Sequence, residues 1–228
     1  KGEDTADMFA APVETKETQI TRVENNGHAM APYMMSVALW VGCIAFSLMY
    51  PLTKYSGKLK SGLAWWGSKA SVLYLIALLQ AAVMIFMLHL CDGFEPVEMG
   101  KTLAVACLAS VAFMSVMYFF TNTFGKVGSF LMLVFMVIQL AGSVGTYPLE
   151  LSGSFVPYLH DWVPFTYTVE AFRSTISGGE SIQEAVIFLT VLWIVFTLLT
   201  ILEFQIRTLK MKRGKRTLDN WLEEKGLA

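Results

Sequence analysis

From Ala185 to Leu202 the chain reads AVIFLTVLWIVFTLLTIL, a stretch without a single charge. A bilayer core about 30 Å thick takes about 20 such residues as a helix rising about 1.5 Å each. Only a helix satisfies its own backbone hydrogen bonds in that medium. Four other runs meet the same test, so the sequence predicts spans at about 32–52, 70–91, 102–124, 127–149 and 185–206. The third and fourth are separated by little more than Gly125, Lys126 and Val127, which calls for a tight turn. Composition agrees, with 15% charged and 55% hydrophobic residues over 228 positions, against roughly 25% charged in soluble domains. The expected class is an all-α integral membrane protein.

The charges are unevenly placed. Lys54, Lys58, Lys60 and Lys69 follow the first run, Lys126 follows the third, and Arg207, Lys210, Lys212, Arg213, Lys215, Arg216 and Lys225 follow the fifth. Asp92, Glu95, Glu98, Glu150, Asp161, Glu170, Glu180 and Glu184 fall in the alternate connections, and six more acids lie in the first 30 residues. Basic residues gather in short cytoplasmic loops, so the expectation is an outside N-terminus and a cytoplasmic C-terminus. Residues 1–30 read as the end of an extracellular domain or a linker, 31–206 as the membrane domain and 207–228 as a basic cytoplasmic tail. The chain begins at Lys1 without a basic-then-apolar leader, which suggests a further span upstream. The formal net charge of -1 gives no global field to attract nucleic acid.

Between the fourth and fifth runs lies a connection too long to be a plain turn. Pro148, Pro157 and Pro164 divide it, and Phe155, Tyr158, Trp162, Phe165, Tyr167 and Phe172 supply rings of the kind that settle at headgroup level. One or two short helices are expected within 153–177, lying on the outer leaflet or dipping into it, with Tyr167, Ala171 and Phe172 toward lipid and Glu170, Arg173 and Ser174 away. A loop with belt aromatics is the simpler alternative.

Catalytic and cofactor patterns are not legible. Cys43, Cys91 and Cys107 form no metal-ligand spacing, His28, His89 and His160 are scattered, and Phe124–Ser129 lacks the glycine-rich run of a phosphate loop. The reading is a non-enzyme with no metal or cofactor of its own. Gln80 and Gln139 are amides within spans, where helix-to-helix hydrogen bonding is the ordinary role and a place on a substrate path the sharper one. Ala141, Gly142, Ser143, Val144 and Gly145 permit close backbone approach or local unwinding. Glu170 and Arg173 are spaced to pair on a short helix.

The order of these features resembles a known family. A Gln-Leu-Ala-Gly-Ser patch late in a span, then GTYPLE, then VPFTYTVEAFRSTISGG before a last span resembles the membrane domain of type-2 ABC exporter permeases. APYMMSVALWVG at 31–42, QLAGSVGTYPLE at 139–150 and PFTYTVEAFR at 164–173 resemble more closely the YhgE/Pip (phage infection protein) family. That resemblance implies one N-terminal span, a large extracellular domain and five further spans, of which this chain holds the last part: a permease-like fold lacking its first helix. It also implies a multi-pass protein of the bacterial cytoplasmic membrane, paired as a homodimer, with any ATP bound by a separate nucleotide-binding subunit.

In such a fold Gln139, Gly142, Ser143, Gly145, Pro148, Glu150, Trp162, Pro164, Tyr167, Glu170 and Arg173 form an outer gate or interfacial element. The 53–69 loop, with Lys58, Lys60, Trp65 and Trp66, would meet the nucleotide-binding subunit; anchoring of lysines and tryptophans at the membrane surface is the plainer reading. Lys210, Lys212, Arg213, Lys215 and Arg216 would face an anionic leaflet. Two functions follow: export or translocation of a hydrophobic or envelope-related substrate, or a non-transporting anchor for the extracellular domain that serves as a bacteriophage receptor or a type VII secretion accessory.

Overall fold

The computed structural model describes residues 26–52, 60–143, 155–179, 181–214, 221–222 and 224–226. In chain order the main helices are α1 (Asn26–Met49), α2 (Gly62–Asp92), α3 (Met99–Phe124), α4 (Lys126–Gly142), α5 (Val156–His160), α6 (Pro164–Ser177) and α7 (Gln183–Lys212). No strand occurs among the described residues. Among the described residues, four helices are long and apolar enough to cross a membrane: Ala29–Met49 within α1, then α2, α3 and α7. α4 has 17 residues, about 26 Å of helix, which is short of the hydrocarbon thickness. The fourth of the expected spans, at 127–149, is therefore helical only to Gly142 among the described residues, and residues 144–154 lie outside them.

α3 is the central helix, packed on by α1, α2, α4, α6 and α7. Its sequence explains why. Ala106, Ala109, Ser110, Ala112 and Ser115 keep its surface narrow, so neighbours approach from every side, and all five are buried. The other spanning helices bury one stripe and turn the rest outward: Leu75, Leu78, Leu79, Val83 and Phe86 of α2 are exposed, as are Ile187, Val191, Ile194 and Leu198 of α7. Exposed apolar faces on this scale suit a lipid surround.

Glycines set the α3–α4 turn. Gly125 has a positive φ of 60°, and a Cβ on Gly128 would collide with the Phe120 carbonyl oxygen. Both ends of the bundle carry the charge bias seen in the sequence. Lys60, Lys126, Lys210, Lys212 and Arg213 are exposed at one end, called basic below, and Asp92, Glu95 and Glu184 at the other, the acidic end.

Two helices run further than the apolar runs suggested. α2 starts at Gly62 rather than near residue 70, with Ser61 as N-cap accepting a hydrogen bond from the Ala64 N–H at 3.1 Å. The stretch from residue 62 to 69, read as loop, is thus two turns of helix, because Leu63 to Trp66 continue the helical pattern and Gly62 lets α2 pack directly on the α7 backbone at Gln205; residues 53–59 lie outside the described ones. α7 continues to Lys212, so the boundary expected at residue 207 falls inside a helix.

Candidate functional site

Short helices do occupy the connection before the last span, and their placement follows from two measurements against α3. The ring of Phe165, at the start of α6, lies 5.8 Å from that of Phe113. At the other end of α6, the Val97 and Glu98 N–H groups donate to the carbonyls of Ile176 and Thr175, each at 3.0 Å. From Glu98 to Phe113 is about 22 Å along α3. α6 therefore runs from the acidic end of the bundle to about the middle of α3.

A helix end at that depth must have its orphan backbone groups satisfied by protein. Pro164, buried at the first helical position, has no N–H to satisfy. The next N–H, that of Phe165, donates to Gln139 Oε1 on α4 at 3.2 Å. Thr166 N–H bonds the Val163 carbonyl at 3.2 Å. At the far end the α2–α3 connection supplies the two amides already named. Gln139, fully buried, is thus an inter-helix cap.

α6 does not turn an apolar face to lipid as expected. Ala171 and Phe172 are 1% and 0% exposed and pack on protein. The reason is composition: Thr166, Thr168 and Thr175 are also buried, and Thr168 and Thr175 return their hydroxyls to the Pro164 and Phe172 carbonyls at 3.0 and 3.3 Å. Small residues with satisfied hydroxyls pack between helices as aliphatics do. Tyr167 does lean outward, half-buried, its ring stacked on Phe188 of α7 at 3.9 Å and its hydroxyl donating to the Asp161 carbonyl at 3.0 Å. Glu170 and Arg173 are exposed.

At Gly142 the expected close approach takes a definite form. A Cβ there would lie 2.9 Å from Leu159 Cδ2 of α5 and 3.6 Å from Val163, so the glycine seats α5 against the end of α4. Ser143 is buried beside it. Trp162, 79% exposed, sits at the α5–α6 turn; Phe155, just before α5, and Tyr158, within it, are also exposed. Gly145, Pro148 and Glu150 lie outside the described residues, as do Lys58, Lys215 and Arg216.

Sequence reasoning passed over three residues here. Trp40 is fully buried at the meeting of four helices, its Nε1–H donating to the Met132 carbonyl at 3.3 Å, its ring edge-on to Phe113, Phe135 and Phe165. His160, read as isolated, places Nδ1 3.0 Å from the Gly142 carbonyl and Nε2 3.8 Å from Glu170 Oε1. Neither has a local signal, since each partner is remote in sequence.

Arg207 is the third. Counted with the basic tail, it is 4% exposed; Nη2 donates to the Asn122 carbonyl at 2.6 Å and lies 3.6 Å from Glu203, with the guanidinium 5.9 Å from the Trp65 ring centroid. Trp65 itself is 4% exposed and edge-on to Phe204 at 4.8 Å. It packs between α2 and α7; Trp66 is half-buried, while Lys60 and Leu63 are exposed.

Polar groups deeper in the bundle meet each other. Gln80 Nε2 reaches Ser110 Oγ at 2.7 Å, Cys43 Sγ at 3.1 Å and the Leu39 carbonyl at 3.3 Å. Tyr74 joins Ser115 at 3.0 Å and Thr197 at 2.9 Å. Gln80 thus follows the helix-bonding alternative. Among the described residues no group of three His, Cys, Asp or Glu side chains is placed to hold a metal ion.

The sequence profile of the ABC-2 family transporter proteins matches residues 3–202. Over 176 residues the chain is 35% identical to the uncharacterized protein YhgE of Bacillus subtilis (strain 168), covering 77% of this chain and 23% of that protein. The chain thus spans less than a quarter of the length of that relative. No solved structure matches it.

Proposed function

The chain belongs to the ABC-2 transporter family, and from that premise we propose that it is the membrane half of an export system, acting as a homodimer and driven by a separate nucleotide-binding chain. The observation that carries this reading is α6, a helix entering from the acidic end to about the middle of α3 and held at both ends by its neighbours. A half-crossing helix serves a gate well. It closes one side of a pathway, and releasing its two end contacts would free it without unfolding a span. The acidic end is outside in this reading and the basic end cytoplasmic, following the lysine and arginine bias.

Cargo of a hydrophobic or envelope-related kind would move between two protomers, since Gln80, Cys43 and Ser110, and likewise Tyr74, Ser115 and Thr197, are engaged with each other within one protomer. That same engagement favours the second reading, a non-transporting anchor for an extracellular domain that acts as a phage receptor or secretion accessory. The test is purification of the intact protein from its native membrane with its co-purifying chains. A stoichiometric nucleotide-binding subunit supports the exporter, and recovery of envelope or secretion proteins instead supports the anchor. Because Trp65 is buried, the docking variant belongs at Leu63, 53% exposed at the start of α2. Leu63→Asp is expected to lose that subunit while leaving the membrane protein folded.

A further inference from the structure

We infer that the cleft between α1 and α2 at the acidic end is a binding site for a lipophilic monocation, an apolar body carrying a single positive charge. The two helices meet closely where Gln80 faces α1: Nε2 lies 3.3 Å from the Leu39 carbonyl, and a Cβ on Gly42 would run into Gln80 Oε1. About 18 Å further along each helix, from Gly42 to Met30 and from Gln80 to Asp92, they enclose a cavity of about 470 Å³. That is within the size range of small-molecule sites. Met30, Ala31 and Met34 line it from α1, Leu88 and Asp92 from α2, and Phe94 from the connection beyond.

Local sequence accounts for the opening. Pro32 sits inside α1, where it removes a backbone hydrogen bond, and Ser36 Oγ donates back to the Pro32 carbonyl at 2.8 Å. Both features bend helices, and both fall beside the lining methionines. Opposite them Gly93, at a φ of 62°, reverses the chain so that the Phe94 N–H donates to the Leu88 carbonyl at 3.2 Å. Phe94, 3% exposed, is thereby folded against the end of α2 as an apolar wall. Thioether side chains are unbranched and polarisable, so Met30 and Met34, both partly exposed, fit bodies of differing shape.

Charge selects the occupant. α2 ends on Asp92, an acid at a helix terminus whose partial negative charge favours a base. Among the described residues no ion pair answers it: Lys101 is held by Glu98 at 2.8 Å, and Glu95 adds a further negative charge to the same connection. His89, one turn earlier on α2, places Nδ1 3.0 Å from the Phe94 carbonyl. The exposed carboxylate thus lies at the cavity with the helix terminus behind it, and both attract a cation. A local rule broken in this way marks a site whose compensation comes from outside the fold. No lysine or arginine among the described residues lines the cavity, so the phosphate of a phospholipid finds no partner there. The inference rests on the cavity and not on the export reading, since binding requires neither cargo movement nor a nucleotide-binding chain.

Equilibrium binding of radiolabelled tetraphenylphosphonium to the intact protein in phosphatidylcholine nanodiscs, with empty nanodiscs subtracted, tests the site. Saturable binding at one site per chain is expected. Asp92→Asn should weaken it about tenfold, and Ala31→Phe, which places a ring in the cavity, should abolish it. Glu95→Gln, outside the cavity, should leave it unchanged. Asp92 and Glu95 are exposed, so both of their variants fold. Tetraphenylborate, of similar shape and opposite charge, should not displace the phosphonium. Non-saturable uptake overturns the proposal, as does wild-type affinity in Asp92→Asn or Ala31→Phe. So does a loss in Glu95→Gln as large as that in Asp92→Asn, or displacement by the borate as effective as by unlabelled phosphonium.

Discussion

Gln139 shows how one side chain decides the fate of a whole element. Its carbonyl oxygen is the acceptor for the Phe165 N–H, and without it that donor is buried and unpaired, at a cost of about 1 to 3 kcal/mol. Gln139→Leu, similar in size, is therefore expected to lower the thermal midpoint of the purified protein; an unchanged midpoint would show that α6 finds another acceptor. Gly128 makes the complementary case for bulk. Alanine is the better helix former by about 1 kcal/mol, but its methyl would run into the Phe120 backbone oxygen, and overpacking of this kind costs about 1 to 3 kcal/mol. Steric cost against rigid backbone should win, so Gly128→Ala is predicted to destabilise, as read in the same melt.

At the scale of elements, α6, within the connection between α4 and α7, is a packed part of the bundle. Phe165 is fully buried and edge-on to Trp40 with centroids 5.6 Å apart, so Phe165→Ala removes a ring from the junction of α1, α3 and α6. Losses for a core phenylalanine run to about 3 to 5 kcal/mol. The expected outcome is a large fall in stability together with new protease cleavage near the α5–α6 turn in detergent solution; cleavage unchanged from wild type would mean α6 holds its place without this anchor. α2 and α7, longer than the membrane requires, meet through Trp65, Phe204 and Arg207 at the basic end. An arginine in a count of tail charges is indistinguishable from one engaged by Asn122 and Glu203, because the difference lies in what α3 brings beside it.

For the whole molecule, the division into an acidic and a basic end makes orientation testable. Single cysteines at Glu95 and at Lys210, both exposed, in a background without Cys91 and Cys107, are predicted to react with a membrane-impermeant reagent from opposite sides. Glu95→Cys should label in whole cells and Lys210→Cys only after lysis; the reverse pattern would invert the topology. Apolar length and charge bias are additive properties of local sequence. For that reason the class, α1, α2, α3 and α7 as spans, and the tight α3–α4 turn are legible in the amino-acid sequence alone. The motifs at 139–150 and 164–173 likewise point to the ABC-2 family.

Tertiary structure decided the rest: that α6 reaches the middle of α3 with its apolar face against protein, that Gly142 seats α5, that Trp65 and Arg207 are interior, and that His160 has partners on α4 and α6. Each of these depends on groups far apart in the chain meeting across helices. In a lipid surround, where apolar side chains are nearly indifferent between neighbour and solvent, periodicity cannot distinguish a face turned to protein from one turned to lipid.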